Sequence, residues 1–482
     1  MGKLSCKAEI TVFLSLILSV VLWCSLILIE GVRIVNLDYM AQSMIEAGTF
    51  SLLGDYNRIL LDKYDVFFLD ASYNSAQLSE TKIKEKLNEY INYNNSSLFN
   101  NNILKQNLEE VLVENMGVIT EDCGKLFRKQ AINSTEQNIG MNILKDILKN
   151  LDRDTDNNEQ MLDEYKKKSE EFEMELANSD EDDKELKKIC DDGRMKDLKE
   201  IKALDILNLV ISDKEGLSTA SINESTLLSS RIEYDLNIKA DDDSLEKVLF
   251  GEYILNHFDT YVDVRNESKD KQKLAYETEY IISGKTSDLD CLRDVIKRIL
   301  KIREISNFIF LIKDAKSLQE SNALATTIAG FTGNPVVIKG VQAVILFTWS
   351  YGESLLDVRY LLDGEKIPII KNSQNFNCDL SMLFNMFKGE HIENKSTEGL
   401  DYEGYLRLLL FMEDTNKKTI NCMNILEKNI RLSLGYENFC LNNCIENIEI
   451  SAVFKSKSIF VENSFDYVYS KRKYASYSEF GG

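Results

Sequence analysis

The sequence predicts a helix-dominated α+β protein. We expect an N-terminal transmembrane helix that continues into a stem helix and carries an extracytoplasmic domain with a small antiparallel sheet. Three observations predict this class. An uncharged apolar run of twenty residues, 10–29, lies near the start of the chain. Apolar residues recur at helical spacing through most of the remainder, and period-two alternation returns near the C-terminus, over 445–454 and 458–469.

The apolar run has the length of a transmembrane helix. At about 1.5 Å per residue it would span roughly 30 Å, the hydrocarbon thickness of a bilayer, and Glu9 and Glu30 bound it. A cleaved signal peptide is the alternative, but its apolar region is usually shorter and no small-residue cleavage site follows here. Lys3 and Lys7 precede the run. We therefore expect a retained single-pass anchor in the cell membrane, with a cytoplasmic N-terminus and an extracytoplasmic remainder.

Helical patterns continue beyond the anchor. Apolar spacing over 34–45 predicts a stem helix to about residue 51, and Gly54 and Asp55 predict a break before a short helix through Leu61. The segment 64–70 is rich in β-formers and predicts a buried strand. Further patterns predict a strand over 231–240 and helices over 81–118 (with an Asn-rich loop at 92–102), 141–151, 198–211, 245–258, 292–312, 317–328, 336–362 and 400–431.

These patterns divide the chain into five segments. They are a cytoplasmic tail (1–9), the transmembrane helix (10–29), the stem with the first part of the ectodomain (30–150), an acidic segment (151–200) and the main α+β ectodomain (201–482). The acidic segment holds 19 acidic and 10 basic residues, which is typical of a solvated helical or partly disordered insertion. An arm that binds a cation or a partner is the alternative.

Composition and charge exclude several functions. The 482 residues include 79 acidic and 57 basic ones, a net charge of −22, and no stripe of basic residues is present, so we expect no nucleic-acid partner. His257 and His391 lie far apart without a Cys/His cluster, so we expect no metal and no cofactor. Cys440 and Cys444 are the only close pair among nine cysteines; two buried thiols are favoured, and a bridge or a metal stays open.

Two alternative functions have residues in their favour. Ser354, with His257 or His391 as base, suggests a membrane-tethered hydrolase, but no Gly-x-Ser-x-Gly motif surrounds it. We therefore expect no catalytic residue, and a packed helix with Glu353 and Arg359 exposed or paired. The second alternative is an extracellular module that binds a cation, a glycan or a protein. An acidic cluster and a tyrosine-rich C-terminal segment suggest this module; the residues are Asp241, Asp242, Asp243, Tyr467, Tyr469, Tyr474 and Tyr477.

Five segments carry a resemblance to a known family. They are ITVFLSL (10–16) with Glu30 and Arg33 beyond it, YDVFFLD (64–70), LAYETEYIISGKTSD (274–288), YGESLLDVRYLLDGEKIP (351–368) and LDYEGYLRLLL (400–410). Together they resemble an uncharacterised family of Gram-positive single-pass membrane proteins that are encoded among components of Tad-type (Flp-type) pili or related secretion machinery. The opening is similar to that of TadE/TadG-like pseudopilins.

The resemblance implies a non-enzymatic accessory or minor-pilin-like protein, with the lipid bilayer and pilin-like or pilus-assembly membrane proteins as partners. Leu4 stands where a prepilin peptidase requires Gly, so we expect an uncut anchor. Three charged residues at the membrane edges, Glu9, Glu30 and Arg33, are candidate assembly contacts. Glu9 could pair with the N-terminal amine or a lysine of a neighbouring subunit; solvation at the cytoplasmic interface is the alternative.

Overall fold

The computed structural model divides the chain into two compact units. Unit 1 combines residues 1–131 with 433–482, and unit 2 comprises 132–432. Helix dominates and a small antiparallel sheet accompanies it, which confirms the predicted class. The structure describes residues 3–73, 77–98, 102–139, 141–177, 205–211, 216–232, 234, 243–264, 273–383, 392–460 and 466–480.

The apolar run and the stem form one continuous helix, α1 (Lys3–Leu53), of 51 residues. The side chains of 10–29 are exposed, and an 18-residue window there has a mean hydropathy of 2.8. Among the helices of the described residues, α1 alone is long and apolar enough to cross a membrane. The stem part is amphipathic, because Leu37, Ile45 and Leu52 are fully buried on one face. The predicted continuation of the apolar helix into a stem helix is confirmed.

An antiparallel sheet packs against the stem. Its strands are β1 (Leu69–Asp70), β2 (Asn107–Val118), β3 (Cys444–Lys457) and β4 (Asp466–Ser476), and β3 pairs with each of the others. Successive side chains of a strand face opposite sides, so every second residue of β3 from Ile448 to Phe454 is buried. These residues share a core with Met44 of the stem and Ile91 of α3 (Glu80–Leu98).

β2 shows that the helix predicted over 81–118 is wrong in its second part. The pairing of β2 with β3 shifts register after Leu108, after Val113 and after Gly117. These irregularities break the period-two alternation that marks a strand in sequence, and pairing with β3 decides the conformation. The strand predicted over 64–70 is reduced to Leu69–Asp70, because α2 (Arg58–Tyr64) extends to its start and only two residues pair with β3.

Unit 2 is helical in its described part. Its helices are α5 (Met141–Ala177), α6 (Ile206–Val210), α7 (Ser244–His257), α8 (Tyr261–Val264), α9 (Glu277–Ser283), α10 (Asp288–Lys313), α11 (Ala315–Ala329), α12 (Pro335–Leu362), α13 (Tyr402–Met412) and α14 (Thr415–Arg431). The helix α4 (Lys125–Asn138) precedes them, and α15 (Tyr477–Phe480) follows β4 in unit 1. The helices predicted over 245–258, 292–312, 317–328 and 336–362 are confirmed, and 400–431 forms two helices.

Side-chain caps fix where the longer helices begin. Each of six residues accepts a backbone N–H from the first turn of its helix, a contact that contributes about 1 kcal/mol per helix. They are Asp243, Ser287, Asp314, Asn334, Asp401 and Asp414, which precede α7, α10, α11, α12, α13 and α14. The core then forms between α10 and α12, where Phe308 stacks on Phe347 with ring centroids 4.4 Å apart. Tyr165 of α5 contacts both rings edge-on.

Other predictions are met in part or lie outside the described residues. α5 makes the acidic segment helical as far as Ala177, and residues 178–200 lie outside the described part. Of the helix predicted over 198–211, the described part contains Ile206–Val210. Most of the strand predicted over 231–240 lies outside as well.

Candidate functional site

A buried ion pair lies where the apolar run of α1 ends and the stem begins. We call this pair and its hydrogen-bond partners the exit cluster. Glu30 Oε1 and Arg33 Nη1 are 2.7 Å apart, and both side chains are 3% exposed. Arg33 also donates to the Ser456 hydroxyl at 2.7 Å and to the Ile103 carbonyl oxygen. The backbone N–H of Phe460 donates to Glu30 Oε2 at 3.3 Å. Every charge of the pair is therefore matched within unit 1.

Two of the three candidate assembly contacts, Glu30 and Arg33, have their partners within unit 1. Removing one ion of a buried pair costs several kcal/mol, because the other ion is left desolvated without a partner. Glu30 and Arg33 thus fasten α1 to the end of β3 and to the chain before β2, and they face into unit 1. Glu9 lies in α1, and its side chain is outside the part that the structure describes.

Unit 2 contains a second charged group, which we call the buried ion cluster. It comprises Arg303, Glu353, Asp357 and Lys371, all with fully buried side chains. Arg303 Nε lies 3.0 Å from Asp357 Oδ2, and Lys371 bridges Glu353 and Asp357. Two cations face two carboxylates, so the cluster is neutral when all four ionise. Asn307 adds a donor to Asp357 at 2.9 Å.

Backbone groups complete the cluster. Glu353 accepts from the N–H groups of Asn377 and Cys378, at 2.9 and 2.6 Å. Arg303 donates to the carbonyl oxygens of Pro368 and Ile369, each at 2.8 Å. The cluster therefore ties α10 and α12 to residues 368–378, which follow α12 in the chain.

Burial and ion pairing compete at the two carboxylates of the cluster. Burial raises the pKa of Glu353 above its ordinary value, although Lys371 opposes it. Burial also acts to raise the pKa of Asp357, but Lys371 and Arg303 outweigh it, so that pKa lies below its ordinary value. Asp357 is thus the anion that holds both cations, and solvent reaches none of the four side chains.

Ser354 belongs to this closed environment. Its side chain is fully buried, its hydroxyl donates to the Ser350 carbonyl oxygen at 2.6 Å, and Asn307 donates to it at 2.9 Å. His257 packs against the Tyr253 ring, with centroids 4.5 Å apart, and His391 lies outside the described residues. The described geometry therefore brings no base to Ser354 and offers no support for the hydrolase.

Glu279 on α9 is a buried carboxylate with one satisfied oxygen. Oε1 accepts from the Tyr261 N–H at 2.9 Å and from the Tyr402 hydroxyl at 2.8 Å, whereas Oε2 is buried without a hydrogen-bond partner. Burial is the main cause that raises the pKa of Glu279 to about 7. Among the described residues, no three His, Cys, Asp or Glu side chains are grouped so that they could hold a metal.

The cysteines and the C-terminal tyrosines take structural positions. The described cysteines form no disulfide, and Cys444 starts β3 instead of sharing a helical face with Cys440. Tyr469 in β4 donates to Gln106, and Tyr477 donates to the Leu53 carbonyl oxygen at 2.6 Å. Asp243 caps α7, whereas Asp241 and Asp242 lie outside the described residues.

Comparison with protein families shows the family to which the chain belongs. A family of unknown function, DUF5702, matches residues 183–456, more than half of the sequence. The chain belongs to this family. The DUF5702 region includes the segments 274–288, 351–368 and 400–410 and the whole buried ion cluster, whereas α1 and β4 lie outside it. No curated protein and no solved structure matches the chain.

The buried ion cluster of the DUF5702 region was not predicted from the sequence. The prediction for Glu353 allowed an exposed or a paired side chain, and the structure pairs it with Lys371. Arg359 is half-buried and donates to the Leu209 carbonyl oxygen at 2.8 Å. One signal was present: Glu353 and Asp357 stand four residues apart in a helix that is mostly apolar, so both share a face. Their cationic partners come from other elements, which spacing does not reveal.

Proposed function

We propose that this DUF5702 protein is a non-enzymatic surface protein of the cell membrane. In this proposal it is an accessory or minor-pilin-like component of a Tad/Flp-type pilus or related secretion machinery, with its N-terminus in the cytoplasm and both units outside. The lipid bilayer and pilin-like or pilus-assembly membrane proteins are its partners.

One observation carries the proposal. Residues 10–29 of α1 are exposed and apolar, and the part of α1 beyond them packs against an antiparallel sheet. A continuous helix of 51 residues, about 75 Å at 1.5 Å per residue, can carry a folded head on its second part while its apolar part packs in lipid or among similar helices. Lys3 and Lys7 before the span favour the cytoplasmic N-terminus.

Fractionation tests the proposal directly. Surface filaments are sheared from the producing cells and compared with washed membranes, and both are probed for this protein. Recovery with filaments identifies a pilin-like subunit. Recovery in membranes, with units that external protease digests on intact cells, identifies a component of the assembly base. A soluble protein, or one whose units are protected from protease, contradicts the proposal.

Glu9 provides a sharper variant. If its carboxylate pairs with a neighbouring subunit, Glu9→Gln lowers the amount of protein in sheared filaments and leaves membrane insertion intact. Glu46→Gln is the matched control, because Glu46 is exposed on the stem and accepts from Gln42 within the same helix. Equal filament yields for both variants would leave Glu9 as a solvated charge.

An extracellular binding module is the second candidate, and a cleft in unit 2 favours it. The cleft has a volume of about 330 Å³, which lies at the lower end of small-ligand pockets. Its apolar lining includes Leu162, Ile302, Ile305, Leu409 and Met412, and charged residues stand at its sides. A short fatty acid such as decanoate would suit it. A rise in melting temperature with decanoate that Ile305→Trp removes would support this function, and no rise would contradict it.

A further inference from the structure

The depth of the exit cluster relative to the membrane follows from helix geometry. Arg33 stands four residues beyond Ile29, the last residue of the apolar run, and α1 is unbroken there. At 1.5 Å per residue Arg33 lies about 6 Å beyond the run. The polar layer of a bilayer is roughly 5–8 Å thick on each side of the hydrocarbon. Glu30 and Arg33 therefore lie at headgroup depth when the run spans the membrane.

The exit cluster holds two other parts of unit 1 at the same depth. Arg33 donates to the Ile103 carbonyl oxygen and to Ser456, whose hydroxyl in turn donates to the Lys105 carbonyl oxygen at 2.8 Å. Glu30 accepts from the N–H of Phe460. Residues 102–105 and 457–460 thus lie beside α1 where it leaves the hydrocarbon.

These two segments expose apolar and basic side chains that can contact lipid. Ile103 is 48% exposed and Ile459 is 46% exposed, so two large apolar groups border the anchor without cover from unit 1. Lys105 and Lys457 are exposed on the same segments. Transfer of an isoleucine side chain from water into lipid lowers its free energy. A lysine near an anionic surface contributes about 1 kcal/mol to the free energy of membrane binding.

We propose that residues 102–105 and 457–460 form a membrane-seating surface, which rests in the headgroup layer of the leaflet that α1 leaves. Lipid covers Ile103 and Ile459, and Lys105 and Lys457 contact anionic headgroups. Unit 1 thus sits directly on the membrane surface. The inference rests on the proposed membrane anchoring and adds a second contact with lipid to it.

Tryptophan quenching tests the seating. The full chain is reconstituted in vesicles of phosphatidylcholine and phosphatidylglycerol (3:1) that contain lipids brominated near the headgroup end of the acyl chain. The natural tryptophans are Trp23, in the apolar run, and Trp349, in unit 2. A Trp349→Phe chain reports on Trp23 alone. Chains without either tryptophan then carry Ile103→Trp, Ile459→Trp or, as matched control, Phe50→Trp.

The control lies on the same helix at a known height. Phe50 is 62% exposed and stands about 30 Å beyond the apolar run, so brominated lipid should not reach a tryptophan there. We expect strong quenching of Trp23, and quenching of Ile103→Trp and Ile459→Trp at least threefold above that of Phe50→Trp. Quenching should weaken when phosphatidylcholine replaces phosphatidylglycerol.

The outcomes separate the inference from the proposed function. Quenching of Trp23 together with background quenching at positions 103 and 459 would overturn the seating and leave the anchor standing. An unquenched Trp23 would overturn both. If a tryptophan variant loses its native circular dichroism, carbene labelling of the unmodified chain by a diazirine lipid replaces it. Labels on the peptides that contain Ile103 and Ile459, and none on Phe50, are then the expected result, and the absence of the former contradicts the seating.

Discussion

Arg303 and Asp357 form an ion pair in which both side chains are fully buried, with Nε and Oδ2 3.0 Å apart. The pair joins α10 to α12, and Lys371 extends it to the chain that follows α12. A neutral, hydrogen-bonded cluster of this kind is tolerated in a core, but it contributes little net stability compared with apolar packing. Any arrangement that separates these ions leaves a buried charge unpaired, which costs free energy. The cluster therefore favours the observed arrangement of α10, α12 and the chain after α12 over alternatives.

Removal of one anion of the cluster should destabilise unit 2. Asp357→Asn leaves Arg303 and Lys371 buried without their shared carboxylate, so we expect the free energy of unfolding to fall by about 3–5 kcal/mol. Urea denaturation followed by the fluorescence of Trp349, which is buried in unit 2, measures the change. The control is Asp294→Asn, because Asp294 pairs with Arg298 in a partly exposed position; it should cost at most about 1 kcal/mol. Equal costs would contradict the cluster.

Glu279 should make unit 2 less stable as pH rises from 5 to 8. The pKa of Glu279 is raised to about 7 in the folded chain, whereas an unfolded glutamate titrates at its ordinary, lower value. Between the two values the folded state binds a proton that the unfolded state does not, so stability falls with rising pH. The loss is on the order of 3 kcal/mol.

Glu279→Gln should remove this contribution. The amide oxygen still accepts from Tyr261 and Tyr402 in place of Oε1, and no charge forms. We expect the free energies of unfolding of the variant and the unmodified chain to diverge in the variant's favour from pH 5 to pH 8. Glu403→Gln, at an exposed position, is the control and should follow the unmodified chain. Parallel curves for all three proteins would show that Glu279 keeps an ordinary pKa.

The buried cysteines should resist alkylation in the folded chain. Cys291, Cys378 and Cys422 are fully buried, and burial raises the pKa of each thiol, that of Cys291 to about 12. The thiolate is the reactive form, so maleimide at pH 7.5 should label the half-exposed Cys440 before these three, which should react only in denaturant. Peptide mass spectrometry measures the order in which the cysteines are labelled. Labelling of Cys291 as fast as Cys440 would contradict the burial.

Gly399 should tolerate no side chain. Its φ is +127°, and a Cβ would lie 2.3 Å from the carbonyl carbon of Ile367, which pairs with Leu400 through two backbone hydrogen bonds. We expect Gly399→Ala to cost about 3 kcal/mol or more. Gly333 also has a positive φ, +66°, but its Cβ would meet open space. Gly333→Ala should therefore cost only about 1 kcal/mol. Thermal unfolding compares the two, and equal shifts would contradict the predicted clash.

The helices α10, α11 and α12 could be predicted because local signals specify them. α12 begins at Asn334 and Pro335, after two glycines, and continues as an apolar pattern to Asp363, so start, periodicity and end agree. β2 could not be predicted in this way. Its conformation depends on pairing with β3, which lies more than three hundred residues later, and its register shifts remove the local alternation.

The charged sites show the same limit. The position of Glu30 and Arg33 at the end of the anchor was visible in the sequence, but their partners at Ile103, Ser456 and Phe460 were not. A charge near an apolar segment indicates that some partner exists, and only the fold determines whether that partner belongs to the same chain. Here the partners come from both ends of unit 1.

The central strand of the sheet has a consequence for biosynthesis. β3 joins every other strand, yet it is translated after the whole of unit 2. The apolar run, the stem and β2 are therefore translated before their partner strand β3, and the inner face of the stem stays uncovered until β3 follows. Until residues 433–482 are made, this part of unit 1 exposes apolar surface of the kind that chaperones bind. In the proposed surface protein, a truncation before β3 would thus unfold unit 1 and expose it to proteases outside the cell.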